Sequence, residues 1–207
     1  MIICSNINVA FLDSLNYVLE NGFEPMDKEI RLETPILIKI KNISKLNLEQ
    51  EFANFQKFLL PIYPDFIDQY NFERKFYETE LFEKLEFINK NIKLKLDSRK
   101  LFFNFWKIDD QNPETKSPCL TSIYFRQNLD QSLDMHAQLR ANNAVRISPI
   151  NMLIFIEFFQ KVAQKLNLKA GNYYHHSNSY HIYQKDWELA NKIISQSNKT
   201  FQTSKIL

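Results

Sequence analysis

Glycine is nearly absent from this chain: Gly22 and Gly171 are the only two among 207 residues. Loops that cradle phosphate against the backbone need several glycines at fixed spacing, because side chains would block the close approach. A P-loop or a Rossmann-type dinucleotide loop is therefore not expected. The formal net charge of +2 gives no broad positive field of the kind that nucleic-acid binders carry. Two cysteines, Cys4 and Cys119, without regular spacing argue against a disulfide framework and for a reducing compartment. The amino terminus lacks a basic region followed by an apolar core, so no signal peptide is read there. The most apolar segment, Ile150 to Phe159, is interrupted by Glu157 and is too short to span a bilayer. A soluble cytoplasmic protein is the expectation, without membrane or nucleic-acid partners.

The length suits one domain, or one with a helical extension, and allows a substantial core. There are no internal repeats and no low-complexity linker. Val9, Leu12, Leu15, Val18 and Leu19 recur at helical spacing within Asn8–Glu20, and Gly22 is a plausible terminator. Ile36, Ile38 and Ile40 alternate with polar residues after Pro35, as in a half-buried strand. Amphipathic helices are expected over Leu48–Leu60 and Glu78–Ile92, and strands over Leu101–Trp106 and Leu120–Gln127. Leu133–Leu139 should pair with the latter strand. Met152–Leu166 is apolar almost all round its first half, the mark of a buried helix. The tail alternates from Asn172 to Tyr183, then reads as helix from Gln184 to about Ser195. Strands interleaved with helices, without a clean βαβ repeat, indicate an α+β fold.

The chemistry-bearing residues cluster around Cys119. Pro118-Cys119-Leu120 precedes the strand-like Thr121-Ser122-Ile123-Tyr124-Phe125. Ser98-Arg99-Lys100 lies upstream, with Trp106 between. Downstream come Arg140, then Ser148-Pro149-Ile150-Asn151 opening the apolar run, and finally His181-Ile182-Tyr183. Read by itself, a cysteine at the start of an apolar strand is core filling. The order and spacing of its neighbours resemble the thymidylate synthase family, well over residues 95–195 and poorly over residues 1–90. In length the chain is similar to the short archaeal-type members.

The resemblance implies a single domain over residues 1–207, with a mixed sheet, a large buried helix, and two sheets packed back to back in a homodimer. It also implies transfer of a one-carbon unit to carbon 5 of a uridine-type nucleoside monophosphate (dUMP or UMP), with 5,10-methylenetetrahydrofolate or a related pterin as carrier. Carbon 5 of uracil is a weak nucleophile, and a thiolate adding at carbon 6 turns the ring into a reactive enolate. Cys119 would be that nucleophile, its pKa lowered by nearby guanidinium groups. Arg99 and Lys100 match the paired arginines that reach across the dimer to the partner's phosphate. Lys100 keeps the charge but loses the planar fork. Arg140 matches the phosphate arginine of the cysteine's own subunit. Asn151 matches the asparagine at the pyrimidine edge, where relatives acting on cytosine carry an aspartate. His181 and Tyr183 match the His-x-Tyr pair that holds the sugar 3′-hydroxyl.

Each position has a plainer reading. Arg99, Lys100 and Arg140 could be solvated charges, and Asn151 an N-cap for the apolar helix. His175 and His181 share strand parity, so a metal pair is weighed, although no acidic partner or helix-spaced ligand pair lies nearby. Tyr173, Tyr174, His175 and His176 could form an aromatic patch that stacks bases.

Departures from the family pattern gather in one stretch. The phosphate-binding serine is Ala141, the aspartate facing the pterin is Asn143, and the glycine beside it is Ile147. Asn71-Phe72 stands in place of a Tyr-Gly pair, and only Lys28 and Arg31 offer themselves as the amino-terminal phosphate cation. The alternative expectation is therefore a nucleotide-binding member that has lost folate-dependent catalysis and serves as a sensor or partner subunit.

Overall fold

Alternating apolar residues in the strand-forming segments build one six-stranded mixed sheet. The computed structural model describes residues 1–90, 100–112 and 117–203. The strands are β1 (Ile2–Cys4), β2 (Ile30–Ile40), β3 (Phe102–Asn104), β4 (Leu120–Gln127), β5 (Ser132–Asn143) and β6 (Lys169–Tyr183). They lie in the order β1-β2-β6-β5-β4-β3. β1 and β2 are parallel, as are β5 and β6, and the remaining neighbours are antiparallel. The helices are α1 (Ile7–Asn21), α2 (Leu48–Leu59), α3 (Phe66–Lys90), α4 (Ser148–Lys165) and α5 (Trp187–Thr203). α1 and α4 each bridge a parallel strand pair, the connection such pairs require.

α4 is buried without a break from Ser148 to Ile156. Two residues of that stretch, Ser148 and Asn151, are polar and completely buried, so each needs a partner inside the protein or from a ligand. Ser148 receives the hydroxyl of Tyr180 at 2.8 Å, and Tyr180 also meets Ser14 of α1 at 2.8 Å. This hydroxyl ladder ties both crossover helices to β6 in a region closed to water. Glu157, the charge that interrupts the apolar run, turns towards α3 and pairs with Arg74 at 2.9 Å.

α3 begins at Phe66, twelve residues before the amphipathic stretch expected from Glu78, and ends at Lys90. Its first turns are aromatic rather than regularly amphipathic, and tertiary contacts hold them. Phe66 packs on Phe52 and Phe55, Tyr70 on Phe52, and Tyr77 edge-on to Phe155 of α4. Residues 91 and 92 of the expected helix lie outside the described residues. β3 is shorter than the expected Leu101–Trp106, because the Asn104 side chain bonds both the N–H and the carbonyl of Trp106 and turns the chain. α5 runs past the expected Ser195 to Thr203.

β2 passes through Pro35 instead of starting after it. Pro35 has no N–H to give to the ladder, and the β2–β6 register slips beside it: Ile36 pairs with Ser177 but Thr34 with Tyr180. This bulge reverses strand parity along β6. Tyr180, not His181, shares the helix-covered face with His175. The expected common face for His175 and His181 is thus corrected.

Helices cover one sheet face. Across the other runs a register row of Ile3, Lys39, Tyr174, His136, Tyr124 and Phe102. Tyr174 and His136 stack in parallel with centroids 4.2 Å apart, and Lys39 lies 5.1 Å above the Tyr174 ring. Ile3 and Phe102 at the two ends are about half exposed. Among the described residues no helix is long and apolar enough to cross a membrane.

Candidate active site

Cys119 stands at the entry to β4, half-buried. Its carbonyl accepts the backbone N–H of Arg140 at 2.9 Å, which fixes β5 against the cysteine loop. The Arg140 guanidinium is exposed and leans back over that loop. Its Nε and Nη2 donate to the carbonyls of Pro118 and Ser117, each at 3.3 Å. Trp106 closes the arrangement: its indole N–H donates to the Pro118 carbonyl at 2.9 Å, and its ring lies 5.8 Å from the Arg140 charge.

The Cys119 thiol has its pKa raised, chiefly by burial. The Arg140 charge opposes that shift and the Glu73 carboxylate adds to it. Guanidinium proximity was expected to lower this pKa, and desolvation outweighs it. The thiol is thus held protonated near neutrality.

Glu73 and Tyr77 escaped the sequence reading because they fall before the expected start of their helix. They sit one turn apart on α3. Tyr77 is buried, its hydroxyl meets the backbone of Leu120, and a thiolate at Cys119 would add to the upward shift that burial gives its pKa. The signal available was sparse: Phe66, Tyr70 and Tyr77 recur at helical spacing, but Arg74 interrupts them and no regular apolar stripe results.

At the carboxyl end of β6, His181 and Tyr183 meet edge-on with centroids 4.7 Å apart. His181 Nδ1 lies 3.3 Å from the Ser179 carbonyl and 3.2 Å from its hydroxyl. A carbonyl can only accept, so Nδ1 carries the proton and Nε2 is a bare acceptor. That Nε2 is buried and has no partner. Burial, the largest influence, lowers the His181 pKa and favours this neutral ring.

Asn151 is completely buried in the first turn of α4, and its own N–H donates to the Ile147 carbonyl at 2.8 Å. Ile147 occupies the cap position, so the N-cap reading of Asn151 is corrected. Its Nδ2 faces Asn142 Oδ1 at 3.5 Å, and its Oδ1 has no partner. Asn143 is differently committed. Its Oδ1 accepts the N–H groups of Val145 and Arg146 at 2.9 and 3.0 Å, and its Nδ2 donates to Asp186 at 3.1 Å. Asp186 is buried and paired with Arg146 at 2.6 Å.

Other expected residues lie apart. Arg99 falls outside the described residues. Lys100 is exposed and directly precedes Leu101, whose carbonyl accepts the N–H of Phe125, towards the end of β4 remote from Cys119. Arg31 lies next to Ile30, which pairs with Tyr183, and its charge sits 5.4 Å from the Trp187 ring. Lys28 is exposed near Glu24, at 3.9 Å.

His175 has both nitrogens occupied, by the Tyr173 hydroxyl and by Asn142, each at 2.8 Å. It therefore offers no free metal-ligating nitrogen, and no cluster of three metal-ligating side chains occurs among the described residues. The Tyr173–His176 run is divided between faces rather than forming one stacking patch. Tyr173 and His175 are in the core, whereas Tyr174 and His176 engage His136 and Gln138.

Comparisons with known proteins bear on the family and the fold. Residues 36–207 match the family model described as thymidylate synthase, reaching further towards the amino terminus than the motifs do. A thymidylate synthase of Lactococcus lactis subsp. lactis (strain IL1403) is 25% identical over 105 residues, covering 48% of this chain and 38% of that protein. The enzyme from L. lactis subsp. cremoris (strain SK11) matches with the same identity and coverage. The matched stretch thus spans less than half the length of these curated relatives. The solved thermostable thymidylate synthase A of Bacillus subtilis superposes with a TM-score of 0.63 at 11% identity, covering 92% of this chain and 84% of that one. That likeness establishes a shared fold. With the family model covering most of the sequence and the fold matching independently, the chain belongs to the thymidylate synthase family.

Proposed function

We propose that this protein binds a uridine-type nucleoside monophosphate (dUMP or UMP) and transfers a one-carbon unit to carbon 5 of its ring through a covalent adduct at Cys119. One observation carries the reading. Asn151 Oδ1 and His181 Nε2 are buried atoms without a hydrogen-bond partner, and they belong to the residues matched to the base and sugar. An unpaired buried polar atom costs about 1–3 kcal/mol, so ligand atoms that satisfy both are favoured. His181 Nε2 accepts a sugar hydroxyl, with Tyr183 alongside, and Asn151 meets the ring edge.

Arg140 serves the phosphate and the nucleophile together. Phosphate draws the guanidinium from the Ser117 and Pro118 carbonyls into charge-assisted bonds. Cys119 loses its proton and forms the bond from Sγ to carbon 6, which places negative charge on the ring and makes carbon 5 the nucleophile. The Glu73 carboxylate, whose charge acts on the thiol, is the group that takes that proton, while the buried Tyr77 phenol stays protonated.

The carrier expected from family membership is 5,10-methylenetetrahydrofolate or a related pterin. The residue at the pterin position does not fit it well. Both lone pairs of Asn143 Oδ1 are taken by backbone N–H groups, which leaves no acceptor for a pterin N–H. This favours, as second reading, a nucleotide-binding subunit without folate-dependent turnover. Either reading makes the protein a homodimer, with the uncovered sheet face as the contact and Arg99 and Lys100 reaching the partner's phosphate.

The test is denaturing mass spectrometry after mixing the protein with 5-fluoro-dUMP, with and without methylenetetrahydrofolate. An adduct on Cys119 that includes the carrier supports transfer. Binding without any adduct supports the second reading, and absence of nucleotide binding overturns both.

A further inference from the structure

We infer that His175, acting through Asn142, locks the Asn151 side-chain amide in one of its two orientations and thereby sets base selectivity at the nucleotide site. The inference rests on the proposed nucleotide reading and extends it to residues that touch no ligand.

Four fully or almost fully buried side chains form a directional chain. The Tyr173 hydroxyl meets His175 Nδ1 at 2.8 Å, His175 Nε2 meets Asn142 Nδ2 at 2.8 Å, and Asn142 Oδ1 meets Asn151 Nδ2 at 3.5 Å. Asn142 Nδ2 can only donate, so His175 Nε2 accepts and the imidazole proton resides on Nδ1. From there it donates to the Tyr173 oxygen. Asn142 consequently turns its acceptor to Asn151, and Asn151 answers with Nδ2. Asn151 Oδ1 is left as the atom without a partner, available to the ligand.

Flipping Asn151 by itself would set two oxygens face to face in a dry interior. Flipping Asn142 by itself would oppose donor to donor. Reversal needs both amides to turn and the histidine proton to change nitrogen together. Protonation of His175 would also break the chain, because neither nitrogen could then accept. Burial, with a minor contribution from the His176 charge, drives its pKa down to about 3, so the ring stays neutral at ordinary pH.

Uracil presents a ring N–H beside a carbonyl oxygen, whereas cytosine presents a bare ring nitrogen beside an amine. An amide free to flip serves either ring. A locked amide with its oxygen outward takes the ring N–H that uracil has and cytosine lacks. His175 and Asn142 are thus positioning residues, distant from the reacting atoms.

The test combines competition binding of dUMP and dCMP with nitrogen NMR of the His175 tautomer. Wild type should prefer dUMP and show the proton on Nδ1. His175→Phe should lower the dUMP-to-dCMP preference about tenfold or more, partly by improving dCMP binding, which a general packing defect would not do. Tyr173→Phe, a milder change, should lower it in the same sense. Asn142→Asp keeps an acceptor towards Asn151, so preference should persist while the proton moves to His175 Nε2. A preference unchanged in folded His175→Phe or Tyr173→Phe, or an Nε2 proton in wild type, overturns the lock while leaving the nucleotide reading intact. Wild-type protein that binds neither nucleotide overturns the site reading and the selectivity with it.

Discussion

Arg140 gives its backbone N–H to the carbonyl of Cys119 at 2.9 Å while its guanidinium folds back over the loop that carries the thiol. Two functions are thereby mechanically joined. The guanidinium opposes a pKa that burial has raised, and in the proposed reaction it is also the group that receives the phosphate. When phosphate engages the guanidinium, some of the charge that supports the thiolate is neutralised. Glu73 acts on the thiol in the opposite sense.

This arrangement predicts the alkylation behaviour of Cys119. Its reaction with iodoacetamide should follow a pKa above that of an ordinary thiol, so the rate at neutral pH should be low and rise with pH. Arg140→Ala should move the profile to still higher pH, and Glu73→Gln to lower pH. Measured rate–pH profiles that coincide for all three proteins would show that neither charge reaches the thiol.

Binding and chemistry should separate by mutation. Cys119→Ala should keep affinity for a uridine monophosphate and lose every covalent adduct. Arg140→Ala should weaken nucleotide binding by about 1.5–3 kcal/mol, the scale of one charge-assisted contact. Calorimetry on folded variants decides this, and unchanged affinity would remove Arg140 from the site.

Asn151→Asp should weaken binding of the uracil nucleotide and improve that of the cytosine nucleotide, by a combined swing of roughly 1–3 kcal/mol. An aspartate has no N–H to offer Asn142, so Asn142 must turn its own donor inward and His175 must move its proton to Nε2. Competition assays report the first effect and nitrogen NMR the second. A fixed nucleotide ratio would mean that Asn151 serves packing only.

A shared site would reveal itself by complementation. Mixing Arg99→Ala and Cys119→Ala subunits should restore up to about a quarter of sites if dimers form at random, since one site in each mixed dimer carries neither lesion. Absence of recovery despite demonstrated subunit exchange would count against a site shared between subunits.

Acid should destabilise the fold through its buried histidines. His175 is shifted down to about 3 in the folded state, and burial also lowers His181 and His136. The unfolded chain takes up these protons below about pH 6.5, whereas the folded state resists them, so stability is fully present above that pH and falls as pH drops towards 3. His175 contributes on the order of a few kcal/mol to that fall. Urea unfolding at pH 7 and pH 5 should show the loss in wild type and a smaller one in His175→Phe.

Local order in the chain was enough to locate α1, α2, β4, β5 and most of α4 and β6, because their apolar spacing matches the faces they bury. The types and order of Cys119, Arg140, Asn151, His181 and Tyr183 resemble the family pattern, which is why they stand as the proposed site residues. Parity counting failed at β6, where the bulge opposite Pro35 puts Tyr180 in the place that arithmetic gives to His181. Helix spacing failed before Glu78, where aromatic contacts to α2 and α4 hold turns that have no regular amphipathic stripe. The direction of the Cys119 shift, the proximity of Glu73 and Tyr77, and the Tyr173–His175–Asn142–Asn151 chain belong to the tertiary structure. Desolvation and hydrogen-bond direction depend on which distant segments shut out water around a group, and residue spacing along the chain carries no record of that.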